Sequence, residues 1–513
     1  MRPTVMKRTV IPGHLFAILV PIRSYKRQST VAHGLRWLLL WTICQHSAVD
    51  LAAQKMDLSY FDQKVQQEAQ GYQWLSWSTS AIGHRLTGSP QGALAEHTAD
   101  SLFRLCGLET VSLFPFSAQA WGRDRVSLEM NDGEGVLHLS AVSLANTPLD
   151  VAIEAPVVDI GNGLETDIEA VNGTLQGKIV LVNLGLVNAI EGAKNLHRSE
   201  KVSLAMQQGA AGVIFVNQVE GHILLTGTAS IDGNLIPIPA ACIATEDGIL
   251  LREQLALGKT YTAKLSMKNT SAMVTANNVI AEIKGTLHPE EVIIVGGHLD
   301  CWDLATGATD NGLGSYSILD LARAMQSMPF KPERTVRFVL FMGEEQGLLG
   351  SRALVKHYQE TGELDKITCM INLDMSGHPQ GFGVAGPEGW HAAIADLLPA
   401  MHAMDSTAFE GRVSEEVWLH SDHQPFLMAG VPVLYPLSDL GKHVYGCYHS
   451  SCDDIHLVDP QAMVNNVRFT GALVYGLAAT KELPAHFTKD QLRQRLIEAE
   501  LETPLRLGGD WPF

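Results

Sequence analysis

From Asn277 onward the chain alternates between short β-branched runs and amphipathic stretches, and this alternation restricts the fold more than any other feature. Residues 292–297 read as a buried strand, 314–328 as a helix, 335–342 as a strand, 348–358 as a helix and 367–373 as a strand. Such alternation implies a layered α/β domain around a largely parallel sheet. The polar residues are placed with equal regularity. His298, the pair Glu344–Glu345 and Asp374 each fall just past the carboxyl end of an expected strand. Open α/β sheets bind ligands at that edge, so three strands are expected to bring these side chains to one place.

The residue types at that edge suit zinc. His298, Asp310, Glu345, Asp374 and His449 supply nitrogen and oxygen ligands, with glycines close to the first two. Three carboxylates offset most of the charge of two Zn²⁺ ions. Asp310 is the natural bridge, since a carboxylate can span ions about 3.5–4 Å apart. One ion then takes His298 and Asp374, and the other Glu345 and His449. Three protein ligands per ion leave room for water or substrate, as a catalytic site needs. Asp300 is expected to accept the second ring N–H of His298 and fix its tautomer. Glu344 points away from its neighbour Glu345, which frees it to act as general base and then general acid. Taken singly, a Glu-Glu pair is ordinary solvated surface and a His-x-Asp pair is ordinary structure. Their order and their strand-end positions carry the weight.

Elsewhere the sequence narrows the setting. At 513 residues the chain is expected to hold more than one domain. A net charge of -18 argues against a nucleic-acid partner, which needs a basic face. Residues 1–53 carry seven basic side chains and one acidic, with a short apolar run ending at Cys44 and small residues at Ala48, Ala52 and Ala53. This order reads as a cleaved signal peptide behind an N-terminal extension, giving a secreted or periplasmic protein. A lipid anchor on Cys44 is the lesser option, and no run is long enough for a stable membrane span. Residues 54–149 read as the N-terminal part of the domain that carries the ligands, with Gly83 to Pro90 as a turn-rich loop. Residues 150–272 read as a separate β-rich domain holding none of the ligands, with strands at 177–182 and 212–217, a helix near 205–211 and a proline-marked edge strand at 237–243. Residues 273–485 form the catalytic domain and 486–513 a C-terminal tail. Cys447 and Cys452 bracket His449 and could form a disulfide that fixes it. Asp422 and His423 are candidates for the substrate pocket, although a turn held by Pro425 explains them equally well. Arg85 has two readings, a substrate-carboxylate contact or a structural loop arginine. Trp302 and Asp303 are expected to shape the metal loop. Asn172 and Asn269 head glycosylation sequons.

The segments GGHLDCWDLATGATDNGLGS, FMGEEQGLLGS, NLDMSG and YHSSCDD resemble the ligand motifs of the M28 family of di-zinc exopeptidases. Residues 177–250 resemble a protease-associated (PA) domain inserted in the peptidase, and the likeness runs from about 58 to 480. It implies a three-layer α/β/α zinc-exopeptidase domain with a mostly parallel central sheet and an inserted β-rich PA domain. It also implies two Zn²⁺ per chain at His298, Asp310, Glu345, Asp374 and His449, Glu344 as base, short peptide substrates and a homodimer. The order of parts resembles the family's carboxypeptidases. Ser421-Asp422-His423-Gln424-Pro425-Phe426, however, looks more like its aminopeptidase branch, which leaves open the end of the peptide attacked. Glutaminyl cyclase shares the fold with a single zinc and is the remaining enzyme alternative.

Overall fold

The computed structural model describes residues 57–171, 175–188 and 192–513, so the expected signal segment and the sequon at Asn172 lie outside the described residues. Residues 56–513 make one compact unit. Its strands are β1 (Thr110–Asn131), β2 (Val136–Leu139), β3 (Ala141–Ser143), β4 (Asp150–Asp159), β5 (Ile179–Asn183), β6 (Gly212–Val216) and β7 (Ala240–Ile243), followed by β8 (Thr262–Ile283), β9 (His288–His298), β10 (Arg334–Phe341), β11 (Ile367–Asn372), β12 (Gly381–Ala385), β13 (Arg412–Ser414) and β14 (Val433–Pro436). They follow the order β13-β12-β14-β11-β9-β10-β8-β4-β5-β6-β7-β3, with β1 and β2 paired alongside. In the peptidase half, β9 lies parallel between β10 and β11, and β14 extends the parallel set.

Alternation along β9 explains the layers. Ile293 and Val295 point to one core, which they share with helices Leu58–Glu68, Leu313–Ser327 and Pro460–Ala479. Val292 and Ile294 point to the other, covered by helices Leu349–Thr361, His423–Met428 and Lys489–Glu498. Period-two alternation with both faces apolar needs helices on both sides. The insert repeats the device on a smaller scale: Val180 and Val182 face helix Arg198–Gln207, while Ile179 and Leu181 face helix Thr245–Ala256.

β1 and β8 form a long antiparallel ribbon running through both halves, offset once between Arg123 and Arg125. The inner part of the ribbon packs on the peptidase core through Phe116 and Val279, and its outer part packs on the insert through Leu128 and Leu265. Several expectations change. The boundary at 272 falls inside β8, and residues 125–143 pack with the insert rather than with the peptidase, because one continuous ribbon serves two cores. β7 is not an edge: its prolines precede it, and it pairs with β6 on one side and β3 on the other. The expected tail at 486–513 folds into helices Lys489–Glu498 and Glu502–Leu507, which bury Leu496 and Leu505. The helix expected near 205–211 begins earlier, at Arg198. Asn269 is buried in the folded chain and its amide donates to the Pro148 carbonyl at 2.8 Å, so this sequon offers no accessible acceptor. Among the described residues no helix is long and apolar enough to cross a membrane.

Candidate metal centre and active site

His298 is the last residue of β9, and Gly297 before it admits no side chain: a Cβ there would stand 2.3 Å from the Leu373 carbonyl. The loop that follows carries the chain to Asp310 and is fixed from within. Arg85 is fully buried and donates to the carbonyls of Leu299 (2.6 Å), Thr306 (2.7 Å) and Gly307 (2.9 Å). That geometry favours the loop reading, since all three of its nitrogens bond carbonyls of this loop and Arg85 does not line the cavity beside the ligands. Asp453 accepts from the backbone N–H of Thr309 (2.8 Å) and of Asp310 (3.0 Å), setting the direction of the Asp310 side chain. Trp302 packs edge-on to the ring of His449, and Asp303 pairs with Arg123 at 2.8 Å, as expected of residues that shape this loop.

Four expected ligands converge in two pairs on the fifth, Asp310. His298 Nε2 lies 3.3 Å from Asp310 Oδ1 and 3.2 Å from Asp374 Oδ1. His449 Nε2 lies 3.0 Å from Asp310 Oδ2 and 2.9 Å from Glu345 Oε2. Each Asp310 oxygen therefore faces a different histidine. Ligand atoms of His298, Asp310 and Glu345 all fall within 4.8 Å of one another. Among the described residues the buried Glu345 Oε1 has no hydrogen-bond partner, and Asp310 Oδ2 has only His449 Nε2 beside it. Buried carboxylate oxygens of this kind call for a cation, and two nitrogens with three carboxylates are a donor set that suits zinc.

Neighbouring residues hold the ligands. The Asp300 carbonyl, not its carboxylate, lies 3.1 Å from His298 Nδ1, while the nearest carboxylate oxygen is 3.8 Å away. That corrects the expected role of Asp300. Its carboxylate instead accepts from Thr87 Oγ1 (3.0 Å) and from the Glu344 N–H (3.3 Å), tying the His298 loop to the turn after β10. Asp374 Oδ2 accepts from the Ser421 hydroxyl at 2.7 Å. Cys447 and Cys452 are bonded, closing a loop around His449, whose ring stacks on Tyr448 with centroids 3.7 Å apart. Thr226 of the insert donates its N–H to the His449 carbonyl at 3.0 Å.

Asp422 and His423, the sequence candidates for the pocket, lie behind it. Both are buried and neither lines the cavity, because helix His423–Met428 turns them toward the core. His423 faces the Trp418 carbonyl (2.9 Å) through Nε2 and Asn372 through Nδ1, and burial brings its pKa down to about 4.

The cavity beside the ligands measures about 250 Å³. Glu344, Glu345, Asp310, Asp374, His298 and His449 line one side. His197, Arg198 and Glu200 enter from the insert, and Leu505 and Asp510 from the C-terminal segment. Sequence reasoning missed these last five. Glu200 accepts from the His197 N–H at 2.7 Å and lies 3.4 Å from His420 Nε2; Asp510 pairs with Arg352 at 2.6 Å. Arg198 differs. It is 7 % exposed, its Nε has no partner, and it makes no ion pair among the described residues. Its guanidinium lies flat on Gly227, where a Cβ would come within 2.1 Å of Nε.

Burial pushes the Glu344 carboxyl well above the usual carboxylate range, against the pull of His298 and with the help of Glu345 and Asp374. Burial likewise raises Glu345 to about 7, while His449 opposes. At Asp310 burial is outweighed by His298 and His449, which hold that carboxyl low.

Residues 278–474 match the peptidase family M28, and residues 153–251 match the PA domain. Carboxypeptidase Q from Homo sapiens is 26 % identical over 425 residues, covering 80 % of this chain and 86 % of its own length. Aminopeptidase YwaD from Bacillus subtilis is also 26 % identical, covering 87 % and 93 %. The crystal structure of a peptidase M28 precursor from Shewanella amazonensis superposes with a TM-score of 0.71 at 25 % identity, over 84 % of this chain and 98 % of that one. BSAP, a zinc aminopeptidase from Bacillus subtilis, shares the fold with a TM-score of 0.59 at 24 % identity, over 82 % of this chain and 98 % of that one. The segment that holds the convergent carboxylates and histidines is the one that matches peptidase family M28, and the insert preceding it is the one that matches the PA domain.

Proposed function

We propose that the protein is a zinc exopeptidase that acts as a carboxypeptidase, removing the last residue of short peptides or splitting dipeptides. His298, Asp310 and Asp374 would hold one ion, and Asp310, Glu345 and His449 the other. Zinc in such a site supplies a Lewis acid for the scissile carbonyl and lowers the pKa of water. Glu344 lines the cavity beside the ligands, fixed through its backbone N–H by Asp300. Its carboxylate takes the proton of the attacking water and returns it to the nitrogen of the leaving amine. The Cys447–Cys452 bond fits a secreted or periplasmic location, where disulfides persist.

One observation carries the choice of peptide end. Apart from the ligands and Glu344, the acids of the cavity already have partners: Glu200 has His197 and His420, and Asp510 has Arg352 and Gln424. Among the described residues, Arg198 is the buried charge of the cavity that forms no ion pair, with the Tyr448 hydroxyl as a neutral partner. A buried guanidinium is costly unless an anion meets it, and a peptide's free carboxylate does so with a bidentate fit. An aminopeptidase would instead need a free acid for the substrate ammonium.

Blocked dipeptides test this reading. Hydrolysis should survive N-acetylation, fall sharply on C-amidation, and show a raised KM for the free acid in Arg198→Met. Cleavage that survives amidation and stops on acetylation would make the enzyme an aminopeptidase.

A further inference from the structure

Part of the cavity lining comes from the C-terminal segment, far along the chain from the expected ligands. Pro504, Leu505, Gly508 and Asp510 all line it. We propose that residues 504–510 form the end wall of the substrate pocket and set the length of peptide it accepts, selecting dipeptides and tripeptides over longer chains. This rests on the exopeptidase reading above and adds the substrate class.

Two sets of contacts hold the wall. On the peptidase side, Asp510 takes both terminal nitrogens of Arg352 at 2.6 Å and accepts from Gln424 Nε2 at 2.8 Å. Gln424 in turn accepts from the His420 N–H at 2.8 Å, which joins the wall to the loop carrying Trp418 and Leu419 on the cavity side. Leu505 is buried in the core beneath the sheet. On the insert side, Lys194 pairs with Glu500 at 2.9 Å and donates to the Ala499 carbonyl at 2.8 Å. Gly508 packs against Ile231, where a Cβ would meet Cγ2 at 3.1 Å. The segment therefore spans the seam between insert and peptidase at the end of the cavity. A bidentate guanidinium–carboxylate pair has a fixed geometry, so the wall holds its position rather than moving as a loose terminus. A volume of about 250 Å³ lies below the usual 300–1,000 Å³ of pockets for drug-sized ligands, which suits a very short peptide.

The test is a series of two- to five-residue peptides with unblocked termini, read as the ratio of kcat/KM for the tetrapeptide to that for the dipeptide. Asp510→Ala and Arg352→Ala each cut the tether from one side; Asp510→Asn, which keeps the shape, guards against misfolding. The wild type should favour dipeptides, and each tether variant should raise the ratio by about tenfold or more, the scale on which a pocket wall discriminates. Limited proteolysis at Arg506 should become faster in the same variants. A wild type that already cleaves tetrapeptides as well as dipeptides would overturn the proposal, as would an unchanged ratio in variants whose segment has become protease-sensitive. Either result leaves the exopeptidase reading intact. A wild type that cleaves no peptide at all would refute that reading as well.

Discussion

Arg85 connects the fold to the metal centre, and replacing it should show how much the site depends on one buried side chain. The guanidinium donates to three carbonyls, one at Leu299 directly after His298 and two at Thr306 and Gly307 just before Asp310. A hydrogen bond from a charged donor contributes about 1.5–3 kcal/mol net. Bonds that share one group do not add fully, and water can enter the space left behind. Arg85→Ala should therefore cost about 4 kcal/mol, just below the simple sum of roughly 4.5–9 kcal/mol for three such bonds. With an unfolding entropy near 2 cal/mol/K per residue, a unit of this size loses roughly 1 °C per kcal/mol, so melting should fall by roughly 4 °C. The loop carries two ligands, and loss of its support should weaken zinc binding by about 10–100-fold in a chelator competition. Arg85→Lys keeps the charge but cannot fork to carbonyls at both ends of the loop, so it should recover only part of the loss. A variant that melts within roughly 1 °C of the wild type, keeps its zinc affinity and shows only a raised KM would refute this account and make Arg85 a substrate contact.

Three further outcomes follow from the geometry. His423 is buried and held near a pKa of 4, below its unfolded value of about 6.5, so the unfolded chain binds more protons between those values. Stability should be complete above pH 6.5 and fall by about 3 kcal/mol as pH drops toward 4, and denaturant titrations of His423→Gln should show a flatter dependence over that window. Cys452→Ser opens the loop that carries His449 and should weaken zinc binding by about 10–100-fold; an unchanged chelator midpoint would mean that the bond does not hold the ligand in place. Gly227→Ala places a Cβ against the Arg198 guanidinium and should raise KM for free-acid dipeptides by about tenfold with a smaller effect on kcat. Equal KM values would separate Arg198 from substrate binding.

The centre of the site was legible because strand ends announce themselves. His298, Glu344, Glu345 and Asp374 each follow a β-branched apolar run, and β9, β10 and β11 do lie side by side. What escaped depends on contacts between distant segments. Arg198 opens a helix capped by His197, a residue with no strong N-cap signature, so the helix could not be started there from sequence. Asp510 looked like tail composition, and its role comes from Arg352, far away in the chain. Asp300 was assigned to the right histidine through the wrong atom: spacing of two residues cannot distinguish a carbonyl from a carboxylate. Asp422 and His423 carried promising chemistry, but the turn of a short helix aims them into the core.

The central claim is that Glu344 is a base beside a pair of zinc ions rather than part of their binding. Zinc content and turnover measured on the same preparation of Glu344→Gln address it directly. The account predicts two zinc ions per chain, as in the wild type, with kcat lowered by about 10²–10⁴-fold. A single zinc in the wild type, or a variant that keeps its turnover, would contradict it.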